Sequence, residues 1–345
     1  MNKKALILGV TGQDGAHLAA HLLADGWEVY GGFRRGSAAK LWRLEYLGLI
    51  DRIHLVNMDI EEPFDLVGAL NEIKPSQIYH LAGESFVADS FFHPTTTFQA
   101  NVMGTLNVLE AIRTTVPEAR LFFASSSEIF CRPDGQDILD EESKLQPSNP
   151  YGISKLSAQE LVRVYRESYG IFASVGILFN HEGVLRARNF VTRKITSDIA
   201  RLKIEGGDPI ELGDFGASRD WGSAEDFCRA MPRVLELNQP DNFIFATGVL
   251  TPVRDFLSFA AIAAGFSPGF VGEGAEEKCI DRVNGRIIAQ VSPRYFRAHD
   301  TSARRGNSEK LRKNICWQGS RPIELLAQEM VAADIDRWKK GIKNI

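Results

Sequence analysis

The chain has 345 residues, 44% of them apolar and 24% charged, with a net charge of −4, which is the composition of a globular protein long enough for one large domain or two sharing a cleft. So small a charge creates no whole-molecule field to gather nucleic acid or an anionic membrane, and any anionic ligand must be held by local arginines and lysines. Four cysteines, Cys131, Cys228, Cys279 and Cys316, stand without a C-x-x-C pair; this argues against a disulfide framework or a metal site and reads as four packing residues in a reducing compartment.

The first apolar run, Ala5 to Val10, leads into glycines rather than a cleavage site, and no stretch approaches the ~20 apolar residues of a membrane span. A soluble, cytoplasmic protein is expected. From there, apolar runs bounded by turn residues ("ALILGV", "EVYGGF", "QIYHLAG", "LFFASS", "FASVGILF") alternate with helix-period segments ("AHLAAHLLADG", "FDLVGALNEI", "NVMGTLNVLEAIRTTV", "SKLSAQELVRVYRESYG"). This alternation predicts a Rossmann-type α/β fold, a doubly wound parallel sheet with helices on both faces and ligands at the carboxyl ends of its strands. After about Asn180 the rhythm changes. "NFVTRKITSDIARLK" predicts a helix with Val191, Ile195, Ile199 and Leu202 on one face, Pro232 interrupts another, and "TPVRDFLSFAAIAAG" predicts a third capped by Thr251 with Pro252 at its first position. These segments are expected to form a smaller α/β C-terminal lobe over the sheet.

"GVTGQDG" places Gly9, Gly12 and Gly15 directly after the first strand, opening the first helix. Glycines there allow a tight turn and close backbone approach, and the helix N-terminus offers N–H groups to a pyrophosphate. About 20 residues on, an NAD site wants an acid for the ribose 2′-hydroxyl; this chain has Arg34 and Arg35, whose forked donors match a 2′-phosphate, so the expected cofactor is NADP. Gln13 and Asp14 in the turn, with Ile60, Leu81 and Ala82 at neighbouring strand ends, complete this candidate set. Asp59 fits two roles, an acceptor for the adenine amine or the cap of the next helix.

"YGISK" sets Tyr151 and Lys155 four apart on one helix face, where an ammonium can lower the phenol's pKa and also bind the nicotinamide ribose. The pair follows the serine-rich strand end "ASSSEIF" by about two dozen residues. That strand end carries a carboxylate, Glu128, where the chain should turn.

These passages resemble the extended short-chain dehydrogenase/reductase superfamily and, within it, the GDP-mannose 4,6-dehydratase family. The closer likeness rests on "GVTGQDG", "FRRGS", "SSSEIF", "PYGISK", "YRESYG", "GILFNHEG", "FVTRKIT", "RDWGSAED", "ATGV" and "PRYFR", in order across most of the chain. The resemblance implies a lyase in which Tyr151, Lys155 and Ser126 serve hydride transfer at the sugar C4. Glu128 is then the further acid/base that a dehydratase needs at C5 and C6. It implies cofactor contacts at His181 and Arg186, and substrate contacts at Ser85, Ser126 and Asn180. Val191, Lys194, Arg219 and Arg294 would hold a GDP-linked sugar. Residues 1–180 with approximately 220–250 would form the NADP-binding domain, and residues 181–219 and 251–345 the nucleotide-sugar lobe. A homo-oligomer, dimer or tetramer, is implied as well.

The chain departs from the family pattern in several places, among them Phe130 and Cys131 for Tyr-Gly, Ala187 for Gly and Gly36 for Ser. Ser126-Ser127-Glu128 stands for Thr-Ser-Glu, Gly183 and Val184 for Ser-Pro, Ala298 and Asp300 for the Pro and Glu after "RYFR", and Ser223 for the His or aromatic after "RDWG". These changes border the sugar and nucleotide pockets and leave the sugar open: GDP-mannose, or another such as a GDP-heptose. An epimerase or reductase has no need of Glu128, and an NADP-sensing protein without catalysis has no need of Tyr151, Lys155 and Glu128 together.

Overall fold

Residues 3–34, 36, 41–130, 138–295 and 303–342 are described by a computed structural model. Arg35 and Cys131 lie outside the described residues. The apolar runs become β1 (Lys4–Leu8), β2 (Glu28–Phe33), β3 (His54–Asn57), β4 (Gln77–His80) and β5 (Arg120–Ser126). Between them run α1 (Gln13–Ala24), α2 (Trp42–Tyr46), α3 (Pro63–Ile73), the short α4 (Val87–Ser90) and α5 (Pro94–Phe98), and α6 (Gly104–Thr115). β6 (Ile138–Leu139), α7 (Pro150–Tyr169) and β7 (Ala173–Leu178) follow, then β8 (Asn180–Glu182), α8 (Val191–Ile204), β9 (Ile210–Leu212) and β10 (Ser218–Ser223). The chain continues through α9 (Ala224–Val234), β11 (Asn242–Phe245), β12 (Leu250–Pro252), α10 (Val253–Ala263), β13 (Pro268–Val271), β14 (Lys278–Asp281) and β15 (Ile287–Val291). It closes with β16 (Arg305–Gly306), α11 (Glu309–Ile315) and α12 (Ile323–Lys339).

Seven strands form one sheet in the order β11-β7-β5-β4-β1-β2-β3, every neighbouring pair parallel. β4, β7 and nearly all of β5 are buried on both faces, which is why they read as continuous apolar runs rather than alternating ones. On one face α3, α6 and α7 bury Leu70, Val108, Ile112 and Val162. On the other, α1, α2, α9 and α11 bury Leu18, Leu44, Phe227 and Leu311. Strand order reverses between β1 and β4, the place where sheets of this kind leave a crevice at their carboxyl ends.

A second core lies beyond that crevice. The four-stranded sheet β13-β14-β15-β9 packs with α8, α10 and α12 around Ile195, Ile199, Leu202, Phe256 and Met330, each fully buried side chain contributing roughly 1.5–3 kcal/mol of transfer free energy. The predicted apolar face of α8 is the one buried. A small sheet, β12-β10-β8, and the pair β16-β6 join this layer to the main sheet.

Three expectations are corrected. Thr251 does not cap a helix; it is held extended in β12 opposite Arg219 of β10, and α10 starts two residues later with Pro252 at its N-cap. Asp59 caps no helix either: its carboxylate accepts from the Glu61 N–H at 3.1 Å, while α3 opens after Glu62 with Pro63 at its first position. Cys316 is exposed in the left-handed conformation that ends α11 (φ 50°), unlike the buried Cys228 and Cys279. A π turn, Gln99–Met103, also splits from the start of the helix predicted across "NVMGTLNV". Among the described residues no helix is long and apolar enough to cross a membrane.

Candidate active site

A cavity of about 860 Å³ opens at the carboxyl ends of the central strands, within the size range of small-molecule sites. Its first wall is the turn after β1. Gly9 has φ +89°, and a Cβ there would sit 2.9 Å from the Ala82 backbone. The turn is folded by the Gly12 N–H donating to the Gly9 carbonyl at 3.0 Å. Gly12, Gln13, Asp14 and Gly15 line the cavity beside it, as do Leu81 and Ala82 after β4, Ile60 after β3 and Arg34 after β2. The Arg34 guanidinium lies 3.6 Å from Glu61 and 3.8 Å from Glu84 and is half exposed.

Asp14 faces His181 of β8 across the cavity floor, Oδ2 to Nε2 at 2.8 Å, while His181 Nδ1 donates to the Phe179 carbonyl at 2.6 Å. Burial opposes charge on both. For Asp14 the attraction of His181 and Arg186 outweighs burial and brings the carboxyl down to about 2; for His181 the Asp14 carboxylate outweighs it and raises the ring's pKa. Arg186 also lines the cavity, pairing with Glu182 at 3.1 Å and lying over the Phe190 ring.

The second wall comes from β5 and α7. Helix α7 starts cleanly because Asn149 accepts the Gly152 N–H at 2.8 Å and Pro150 takes the first position. This presents Tyr151 and Lys155, one turn apart, to the strand end. Gly152 allows the approach: a Cβ there would meet the Glu128 carbonyl at 2.4 Å. Ser126, Glu128, Tyr151 and Lys155 all line the cavity. Contrary to expectation, the phenol of Tyr151 is pushed up to about 12: burial dominates, with Ser126 hydrogen-bonding in the opposing direction. The Lys155 ammonium is occupied by the Ala124 carbonyl at 2.9 Å, and burial brings it down to about 8.

Ser85, Asn180, Val191, Arg219 and Arg294 line the cavity as well. Lys194 lies off the lining, its Nζ donating to the Glu211 carbonyl at 2.5 Å and sitting 3.9 Å over the ring of Tyr295, which does line it. Asp59 is off the lining too.

A family model described as GDP-mannose 4,6 dehydratase matches residues 6–330. The chain is 39% identical to the GDP-mannose 4,6-dehydratase of Sinorhizobium fredii (strain HH103), over 96% of this chain and 97% of that one. It is 38% identical to GDP-mannose 4,6 dehydratase 2 of Caenorhabditis elegans, over 96% and 89%. The chain belongs to the GDP-mannose 4,6-dehydratase family. In fold it matches a Bacillus anthracis dTDP-glucose 4,6-dehydratase solved in complex with NAD, with TM-score 0.80, 18% identity and 97% of each chain covered.

Several residues that the family motifs did not single out also shape this site. Asn101, in the π turn, is buried; it accepts the Glu84 N–H at 2.9 Å and donates to the Glu84 carbonyl at 3.2 Å and to Ser154 at 2.9 Å. It thereby holds the loop carrying Ser85 against α7. Arg43 of α2 is buried and lines the cavity, bracing the turn through the carbonyls of Leu185 at 2.7 Å and Thr11 at 3.1 Å. Asn149 and Arg304 each donate to Glu128, at 2.7 Å and 2.9 Å. An asparagine directly before a proline is a helix-start signal that could have found Asn149, but its bond to Glu128 has no sequence signal.

Proposed function

We propose that the protein is an NADP-dependent 4,6-dehydratase that converts GDP-mannose to GDP-4-keto-6-deoxymannose. The observation carrying this reading is Glu128 exposed to the same cavity as Tyr151, Lys155 and Ser126, because an epimerase or reductase working on the same sheet has no use for a second acid/base beside the tyrosine. The turn at Gly9, Gly12 and Gly15, with backbone where a Cβ would fall, fits a dinucleotide pyrophosphate. Gln13, Asp14, Ile60, Leu81, Ala82, His181 and Arg186 would complete its contacts, and Arg34 with Arg35 would face a 2′-phosphate. NADP, when bound, accepts the hydride from the sugar C4 and returns it to C6.

The chain's own residues would handle the protons. Tyr151 takes the O4 proton, with Ser126 hydrogen-bonded to that oxygen. The phenol starts from about 12, so the Lys155 ammonium, on turning from the Ala124 carbonyl, would favour the phenolate and help Tyr151 act as a base. The ketone at C4 acidifies C5–H; Glu128 removes that proton and donates it to the C6 hydroxyl, which leaves as water. A proton returns to C5, so the net change is loss of water with no net oxidation.

Arg219 and Arg294 would pair with the diphosphate, Val191 and Lys194 would frame the nucleotide, and Ser85 and Asn180 would contact the sugar. In this reading residues 1–180 with approximately 220–250 serve the dinucleotide and residues 181–219 and 251–345 the nucleotide sugar. Residues 309–315 of the latter pack on the main sheet. Assembly as a homo-oligomer and a cytoplasmic location belong to the same proposal. The test is a mass spectrum of GDP-mannose after incubation with the protein and catalytic NADP, beside Glu128→Gln. Loss of one water, absent in the variant and without net NADPH, is expected; an unchanged mass with NADP bound would overturn GDP-mannose as the substrate.

A further inference from the structure

Both oxygens of the Glu128 carboxylate are held, and by segments far apart in the chain. Oε2 accepts from Asn149 at 2.7 Å, and Oε1 accepts from the Arg304 guanidinium at 2.9 Å. The backbone is fixed as well, the Glu128 N–H donating to Ser126 Oγ at 3.2 Å. Glu128 keeps 23% of its side chain exposed, whereas the Arg304 side chain keeps only 4%. Arg304 is not among the residues lining the cavity. It stands behind the carboxylate rather than beside a substrate.

The placement of Arg304 does not depend on Glu128. The strand it leads into, β16, pairs with β6 through Arg305 opposite Ile138 and Gly306 opposite Leu139. Gly306 N–H donates to Asp220 Oδ2 at 3.1 Å, and Asn307 N–H donates to the Leu139 carbonyl at 2.7 Å. Asp220 is buried and also accepts from the Thr247 N–H at 2.8 Å and the Gly248 N–H at 2.9 Å. The arginine is therefore presented by a braced backbone, the condition under which a supporting residue can fix a reacting group to fractions of an ångström.

We propose that Arg304 is a positioning residue for Glu128, aiming the carboxylate at the C5 proton and the C6 hydroxyl while leaving hydride transfer at C4 to Tyr151, Ser126 and Lys155. This rests on the reading of Glu128 as the acid/base of a dehydratase. A carboxylate that must first take a proton and then donate it to a neighbouring oxygen has to keep one orientation through both events, and two donors on opposite oxygens supply that. The buried guanidinium also balances the anion's charge, which Asn149 cannot do.

The test uses GDP-mannose deuterated at C4 or at C5, with steady-state kinetics of Arg304→Met, Arg304→Lys and Glu128→Gln in the full chain with NADP. A misaimed acid/base costs on the order of 10²-fold in rate, so Arg304→Met is expected to lose about that in kcat, with KM kept within about twofold. The C5 isotope effect should grow while the C4 effect falls toward unity, because only the step served by Glu128 is slowed. Arg304→Lys, which keeps the charge with a shorter reach, should show the same isotope signature with at least about tenfold of the rate recovered; it also guards against a folding defect in the methionine variant. A normal kcat in Arg304→Met while Glu128→Gln is inactive overturns the inference alone, as does a loss of kcat with both isotope effects unchanged. Full turnover by Glu128→Gln overturns the acid/base reading beneath it.

Discussion

On one side of the cavity the glycine turn presents main chain: Gly9 at φ +89° lies against the backbone of Ala82, and the turn closes on its own carbonyl. On the other the lining is side chain: Glu128 after β5 is held by Asn149 before α7, which also lines the cavity, and from behind by Arg304 before β16. A backbone surface cannot be adjusted by degrees, since any Cβ collides with atoms that cannot swing away. A surface made of side chains can be retuned one contact at a time, with graded losses. Binding on the first side should therefore fail all at once and chemistry on the second should fail by steps.

The hardest break is Gly9→Ala. Left-handed strain and the 2.9 Å contact with Ala82 together should destabilise the fold by about 2–4 kcal/mol and abolish binding of the proposed dinucleotide. Chemical denaturation and a fluorescence titration of the cofactor would check this, and a variant that binds NADP normally would remove the contrast.

Lys155 sharpens the contrast on the second side, because its effects on stability and on activity should run in opposite directions with pH. Burial brings its ammonium down to about 8, from an ordinary 10.5. Between those values the unfolded chain holds a proton that the folded chain lacks, so stability from this group rises as pH climbs from 8 to 10.5, by at most about 3 kcal/mol. The cation proposed to serve Tyr151 is lost over the same window, so turnover should fall above about pH 8. Subtracting the pH–stability curve of Lys155→Met from that of the wild type isolates the first effect, and the pH–rate profile gives the second; a flat difference curve would contradict the burial argument.

The smallest effect is a gain. A Cβ at Gly183 would meet no atom closer than 3.6 Å, and His17 Nε2 and Gln13 Oε1 lie just beyond that position. Both atoms are buried without a hydrogen-bond partner. A serine hydroxyl there can reach one of them, so Gly183→Ser should stabilise the fold by about 0.5–1 kcal/mol, read as a small rise in Tm with unchanged kcat.

The main sheet was legible because its strands alternate with helices and its central strands β4, β5 and β7 are buried on both faces, so the information lies within short windows: "EVYGGF" is β2 residue for residue. Thr251 was misread because what decides its conformation is a partner strand around Arg219, which no local pattern records. The candidate site divides the same way. Gly9, Tyr151 and Lys155 announce themselves through spacing within a turn or a helix, whereas Arg304 meets Glu128 only after β16 has found β6. Asp59 and Lys194 both lie off the lining, Asp59 accepting within a local turn and Lys194 resting on the Glu211 carbonyl and the Tyr295 ring, two distant contacts that no local pattern records.

Asp220, next in sequence to Arg219, ties β10 to the connection after β11 and to Gly306, two residues from Arg304. One carboxylate thus links the strand of Arg219, proposed to meet the diphosphate, to the strand that follows Arg304, which stands behind Glu128. Under the roles proposed above, the span between the two arginines would work as a ruler inside the molecule: a sugar would be selected by whether its reactive carbons fall at the right length from its anchored phosphates, and one carbon more or less would leave the far end misplaced however tightly the near end is held.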